Sequence, residues 1–169
     1  MTELDDKSVL SIAEGYRNDP QQLIAALLDI QEASGRSYVD RRWAALAARA
    51  MGVPAARVHE ILTFYGMFST VPRGRHVVEV CESAPCLFTG AARLLAWLSE
   101  LLGVGEGGTT GDGLFTLESA GCCGRCAAAP VVKVGDEAYS VSSLSEAAEL
   151  LRSFREGDPG AREVLRCSG

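Results

Sequence analysis

Two short cysteine pairs, each following a strand-like run, constrain this chain more than any other feature. Cys81 and Cys86 form a C-x4-C pair after His76–Val80 (HVVEV), and Cys122 and Cys126 form a C-x3-C pair after Phe115–Glu118. β-branched and alternating apolar runs of this length predict strands. If the two strands are neighbours in one sheet, the loops after them lie side by side, and four thiolates can converge on one centre. Four thiolates suit an iron–sulfur cluster or a tetrahedral zinc equally, and spacing alone does not choose between them.

The rest of the composition supports a metal reading. The first residues, MTELDDKSVL, are acidic and lack an apolar core, so no secretory signal or basic transit peptide is visible and a cytoplasmic address is expected. In a reducing compartment six cysteines do not form a disulfide framework, and clustered ones are metal ligands or reactive thiols. A chain of 169 residues with 47% apolar and 22% charged residues is an ordinary globular domain, with room for a helical appendage. Its net charge of −6 argues against a nucleic-acid partner, whose phosphates need a basic face. The longest apolar stretches, such as Leu94–Leu98 and Ala127–Val132, fall far short of the ~20 residues a membrane span needs, so no membrane insertion is expected.

The chain divides into an N-terminal helical bundle (1–72), an α/β domain (73–156) and a loose tail (157–169). In the first part, Asp19-Pro20 predicts a helix start, and Leu23, Ile24, Leu27, Leu28 and Ile30 form an apolar stripe that ends by Gly35. Trp43, Leu46, Ala47, Ala50 and Met51 repeat the pattern up to Gly52. Pro54 then opens a third helix carrying Val58, Ile61, Leu62, Tyr65 and Phe68. After Pro72-Arg73-Gly74 the period changes to that of a strand. A helix from Gly90 to Leu102, a glycine-rich segment Gly103–Gly113, the strand Phe115–Glu118, a hairpin of Val131–Val134 and Ala138–Val141, and an amphipathic helix Ser145–Phe154 follow. The order β-α-β-β-α describes an α/β layer with a hairpin edge, compatible with a thioredoxin-like half.

The stretches TFYGMFSTVPRGRHVVEVCESAPC and TTGDGLFTLESAGCCGRCAAAPVV resemble the thioredoxin-like [2Fe-2S] subunit of the NADH-oxidising module of respiratory complex I. The same family supplies gamma-type small subunits of NAD-linked hydrogenases, electron-bifurcating ones included, and of NAD-linked formate dehydrogenases. The likeness runs from roughly Leu23 to Leu151. The family's second pair reads Cys-Leu-Gly-x-Cys, which maps onto Cys122, Cys123, Gly124, Arg125 and Cys126. A cysteine therefore stands at 123 where the family has leucine, and Cys122 and Cys123 could exchange as ligands, although the x3 spacing favours Cys122. The resemblance implies a [2Fe-2S] cluster on Cys81, Cys86, Cys122 and Cys126. It also implies partners: a flavoprotein subunit that binds FMN and NADH, and further iron–sulfur subunits of the same complex.

Several other features compete for a functional reading. Gly121, Gly124 and Ala127–Ala129 either let backbone N–H groups approach a negative centre or simply make a tight turn. Arg125 either offsets cluster charge or is a solvated surface residue. Cys123-Gly124-Arg125-Cys126 is a C-x-x-C, but it runs into a strand instead of opening a helix, as a thiol–disulfide site would. Gly103–Gly108 matches G-x-G-x-x-G yet follows a helix, so it reads as a flexible loop without a nucleotide. His59 and His76 lie away from both cysteine pairs and do not suit a Rieske-type centre. LAARAMGVPAARVHEILTFY has the look of a helix-turn-helix, but residues 1–72 carry seven Lys/Arg against nine Asp/Glu. Phe64, Tyr65 and Phe68 either fill the bundle or face a partner. Cys167 reads as a bystander thiol. The expected protein is thus a one-electron carrier that catalyses nothing alone, with a zinc-stabilised interaction module and a thiol oxidoreductase as the competing readings.

Overall fold

A computed structural model of the chain describes residues 4–17, 19–157 and 165–167. Two compact units emerge, Met1–Arg73 and Gly74–Gly169.

The first unit holds four helices, α1 (Asp6–Gly15), α2 (Leu23–Ala33), α3 (Arg41–Met51) and α4 (Ala55–Phe64). Two of their starts are capped by acidic side chains. The Asp5 carboxylate accepts from Ser8 N–H and the Asp40 carboxylate from Arg42 N–H, satisfying donors that have no helical partner. Val9, Leu27, Ile30, Trp43, Ala47, Val58 and Ile61 fill one core. The stripe predicted to run to Phe68 is helical only to Phe64, because Tyr65 takes extended geometry and Gly66 follows. Phe68 still reaches the core, from a loop. The buried Gln31 fixes that loop by donating from Nε2 to Met67 O and accepting Ser69 N–H at Oε1. The helix-turn-helix pattern is therefore a packing pattern, with Val58, Ile61 and Leu62 of its second helix turned inward.

The second unit is a four-stranded sheet in the order β2-β1-β3-β4, with β1 (His76–Cys81), β2 (Phe115–Ala120), β3 (Val131–Val134) and β4 (Glu137–Ser140). Counting each arm of the hairpin as a strand gives one more than the order read from the sequence. β1 and β2 are parallel; β3 pairs antiparallel with β1 and with β4. A parallel pair needs a crossover, and two helices supply it: α5 (Ala84–Thr89) and α6 (Ala91–Leu102), separated by the left-handed Gly90. The short α5, between the first two cysteines, was not expected. α6 and α7 (Leu144–Glu156) bring Leu94, Leu98, Ala147 and Leu150 to a core with Val78, Val80, Phe115, Leu117 and Tyr139.

Two segments read from sequence as loose are held. Within Gly103–Gly113, Gly107 N–H donates to Leu117 O and Leu117 N–H to Gly108 O, so the glycine-rich stretch lines the edge of β2. In the tail, Arg166 bridges to Tyr139 and Cys167 N–H donates to Ala138 O, laying residues 165–167 along β4. Tail positions 158–164, 168 and 169 lie outside the described residues.

Gly74 enters β1 with its N–H on Thr116 Oγ1 at 2.6 Å, and a Cβ there would stand 2.5 Å from the Phe115 carbonyl carbon. Backbone cannot yield as a side-chain tip can. Gly74→Ala should therefore cost about 1–3 kcal/mol in urea unfolding, whereas Gly105→Ala, where a Cβ meets open space, should stay within about 0.5 kcal/mol.

Candidate metal centre

The parallel register sets Cys81, the last residue of β1, opposite Ala120, the last of β2, and Glu82 N–H still donates to Ala120 O beyond it. The segment 121–126 consequently leaves the sheet beside the segment 82–86. Both strands are neighbours, as expected, but the thiols do not all ride on loops. Cys81 ends a strand, Cys86 sits within α5, Cys122 lies in the turn after β2, and Cys126 opens a short 3-10 turn to Ala128.

The thiols stand two by two. Cys122 Sγ and Cys126 Sγ are 3.6 Å apart. Two thiolates on one tetrahedral metal, at a metal–sulfur distance of about 2.3 Å, would be roughly 3.8 Å apart. Cys81 and Cys86 are the other pair, buried in the core at 3% and 1% exposure, whereas Cys122 and Cys126 are exposed. Among the described residues no three His, Cys, Asp or Glu side chains close round a single point. A pairwise donor set suits a two-metal centre, with two thiolates for each metal.

Electrostatics follow the same pairing. Burial pushes the Cys81 thiol up, but the Ser83 hydroxyl and N–H, the Cys86 thiol and the Cys123 N–H together outweigh it and hold Cys81 at about 7. Cys86 is pushed up by its burial and by Cys81. In the exposed pair, the Gly124 N–H, at 3.4 Å from Cys122 Sγ, and the Cys126 thiol pull Cys122 down, while Cys122 in turn raises Cys126. In each pair one sulfur ionises first and the second keeps its proton. A bound metal removes both protons, because only thiolate coordinates.

Gly124 has φ +78° and directs its N–H at Cys122, so the turn and the donor toward the centre are one feature. A Cβ at Gly121 meets nothing within 4 Å, which leaves close approach without support there. Cys123 is half-buried, and burial raises its thiol, the opposite of the activation that a disulfide-exchange nucleophile needs. Cys123 and Cys167 both line a groove of about 460 Å³ beside Cys81, together with Arg125. His59 is exposed on α4, and His76 stacks between Phe115 and Phe154. Sequence reasoning missed Ser83, whose Oγ lies 3.1 Å from Cys81 Sγ. A serine inside the C-x4-C spacer was the available signal.

A profile of the family described as thioredoxin-like [2Fe-2S] ferredoxin matches residues 9–155. The chain belongs to that family. Its cofactor is accordingly a [2Fe-2S] cluster, which the two-by-two thiols fit. The chain is 39% identical over 111 residues to an NADH-quinone oxidoreductase subunit of Rhizobium meliloti (strain 1021), a match covering 66% of each chain. It is 29% identical over 154 residues to an NADH-quinone oxidoreductase subunit of Pseudomonas aeruginosa, covering 91% of this chain and 92% of that one. The HndA subunit of the NADP-reducing hydrogenase of Solidesulfovibrio fructosivorans is 28% identical over 148 residues, covering 88% and 85%. The fold is similar to that of an NAD+-reducing [NiFe]-hydrogenase chain, with a TM-score of 0.68 at 18% identity. That match covers 82% of this chain and 24% of the hydrogenase chain.

In the metal-free chain at neutral pH, Cys122 combines exposure with a lowered pKa, so limiting iodoacetamide should label it first, faster as pH rises. Peptide mass mapping checks this. Labelling of Cys126 or Cys123 ahead of Cys122 would contradict the electrostatics described.

Proposed function

We propose that this chain is the one-electron carrier of a multisubunit NAD(P)H-linked oxidoreductase, passing electrons between an FMN- and NADH-binding flavoprotein and further iron–sulfur subunits. The observation that carries the reading is the pair of two-thiol half-sites on adjoining strand ends, in a chain whose relatives are named as subunits of NADH-quinone oxidoreductase and of a hydrogenase. Cys81 and Cys86 hold one iron, and Cys122 and Cys126 the other. The cluster supplies a single-electron couple, whereas a hydride carries two electrons, so a flavin-bearing partner must divide the pair.

The chain's own residues supply the surroundings. Burial of Cys81 and Cys86 among Val80, Ala91 and Val131 excludes water from one half of the centre. N–H groups of Ser83, Cys123 and Gly124 point at ligand sulfurs and favour added negative charge. The exposed Cys122 and Cys126 form the open edge through which an electron can enter or leave. Of Phe64, Tyr65 and Phe68, Phe68 is core, while Phe64 is exposed and meets Tyr65 edge-on. Within the second unit, Leu87 and Phe88 follow Cys86 directly and are 50% and 92% exposed. An apolar pair this open, one step from a ligand, suits a partner's docking surface.

Alanine at Cys81, Cys86, Cys122 or Cys126 should abolish the visible absorption of the reconstituted chain and its equimolar iron and sulfide. Alanine at Cys123 or Cys167 should leave both intact. Retention of the cluster by Cys122→Ala and its loss in Cys123→Ala would move the ligand by one residue.

Phe88→Ser should leave the melting temperature and the dithionite-reduced EPR spectrum unchanged while slowing NADH-driven reduction through the flavoprotein about tenfold or more. Unaltered NADH-driven reduction would remove Phe88 from the docking surface.

A further inference from the structure

Ser83 stands at the start of α5 in the position of a helix N-cap, with φ −67° and ψ 157°, yet its side chain makes no capping bond. Serine in that position ordinarily accepts from the N–H of the second or third helical residue. Here Pro85 lies in the first turn and has no N–H to offer. The hydroxyl instead lies 3.1 Å from Cys81 Sγ. The same hydroxyl faces Cys122, across the gap between the two half-sites.

The geometry points to Ser83 as a positioning residue that sets the reduction potential of the centre by donating its hydroxyl hydrogen bond to Cys81 Sγ. This rests on the reading of Cys81 as a ligand. A metal-bound thiolate has no proton and can only accept, so Ser83 must be the donor. On reduction the centre takes up one electron from the reductant, no bond to Ser83 is made or broken, and the serine proton stays on Oγ. The added negative charge is spread over irons and sulfurs, and a charge-assisted hydrogen bond to one of those sulfurs is stronger in the reduced state than in the oxidised one. The bond therefore raises the potential, and its loss lowers it. Because the hydroxyl caps nothing, its removal leaves α5 with the hydrogen bonds it already has.

The test uses the full chain, reconstituted anaerobically with iron and sulfide and titrated potentiometrically by EPR. Ser83→Ala should assemble the cluster but show about a tenfold lower ratio of reduced to oxidised centre at the wild-type midpoint, equivalent to ~59 mV for a one-electron couple. Ser83→Thr, which keeps the hydroxyl, should return the midpoint toward wild type. In the unmodified reduced chain, pulsed EPR after exchange into D2O should show a coupled deuteron that Ser83→Thr keeps and Ser83→Ala loses. A wild-type midpoint in Ser83→Ala, or a shift that Ser83→Thr does not reverse, would overturn the role of Ser83. If Ser83→Ala fails to fold, the near-isosteric pair Ser83→Thr and Ser83→Val replaces it, and equal midpoints in the two would overturn the role of the hydroxyl. A cluster retained by Cys81→Ala would overturn the ligand reading as well, which separates the two failures.

Discussion

The parallel pairing of β1 with β2 is the constraint on which the rest depends. Because Cys81 registers with Ala120, the chain leaving one strand end runs beside the chain leaving the other, and thiols far apart in sequence become neighbours. A one-residue slip would turn Cys81 to the opposite face and take Val78 and Val80 out of the core with it. The crossover α5–α6, buried through Leu94 and Leu98, and the tight entry at Gly74 hold that register. Core packing and site assembly are thus the same event.

The centre so formed is asymmetric. Its first half is built into the core and its second half faces solvent. Burial alone would disfavour thiolate, yet Cys81 is held near 7 because hydroxyl and amide donors converge on it. This is the balance a buried anionic centre requires: apolar packing to exclude water, and oriented dipoles to replace the lost solvation. The exposed half needs less support and has less, mainly the Gly124 N–H. With the cluster held on these four thiols, as proposed, the inner half would fix its surroundings and the outer half would leave it accessible, a division that suits an electron carrier.

Much of this was legible in the sequence. The apolar periods of Leu23–Ile30 and Leu94–Leu101 and the Gly135-Asp136 turn predict α2, α6 and the β3–β4 hairpin from local chemistry alone. The cysteine spacing points to a four-thiol donor set without giving its geometry, since neither strand order nor parallel sense is encoded within so short a segment. The helix α5 was hidden because Ala84–Thr89 is too short for a period to emerge. Phe68 looked like a helical position because its i+3 spacing from Tyr65 survives the end of the helix, and only the tertiary bond from Gln31 shows how a loop delivers it to the core. Gly103–Gly108 resembled a flexible loop because its bonds to β2 are backbone bonds, to which composition is blind.

The central claim is that two thiol pairs hold two metals rather than four thiols holding one. X-ray absorption at the iron edge of the reconstituted chain tests it most directly. The account predicts an all-sulfur first shell with a short iron–iron vector beyond it, at two irons per chain. A single metal per chain surrounded by four sulfurs, with no metal–metal vector, would contradict it.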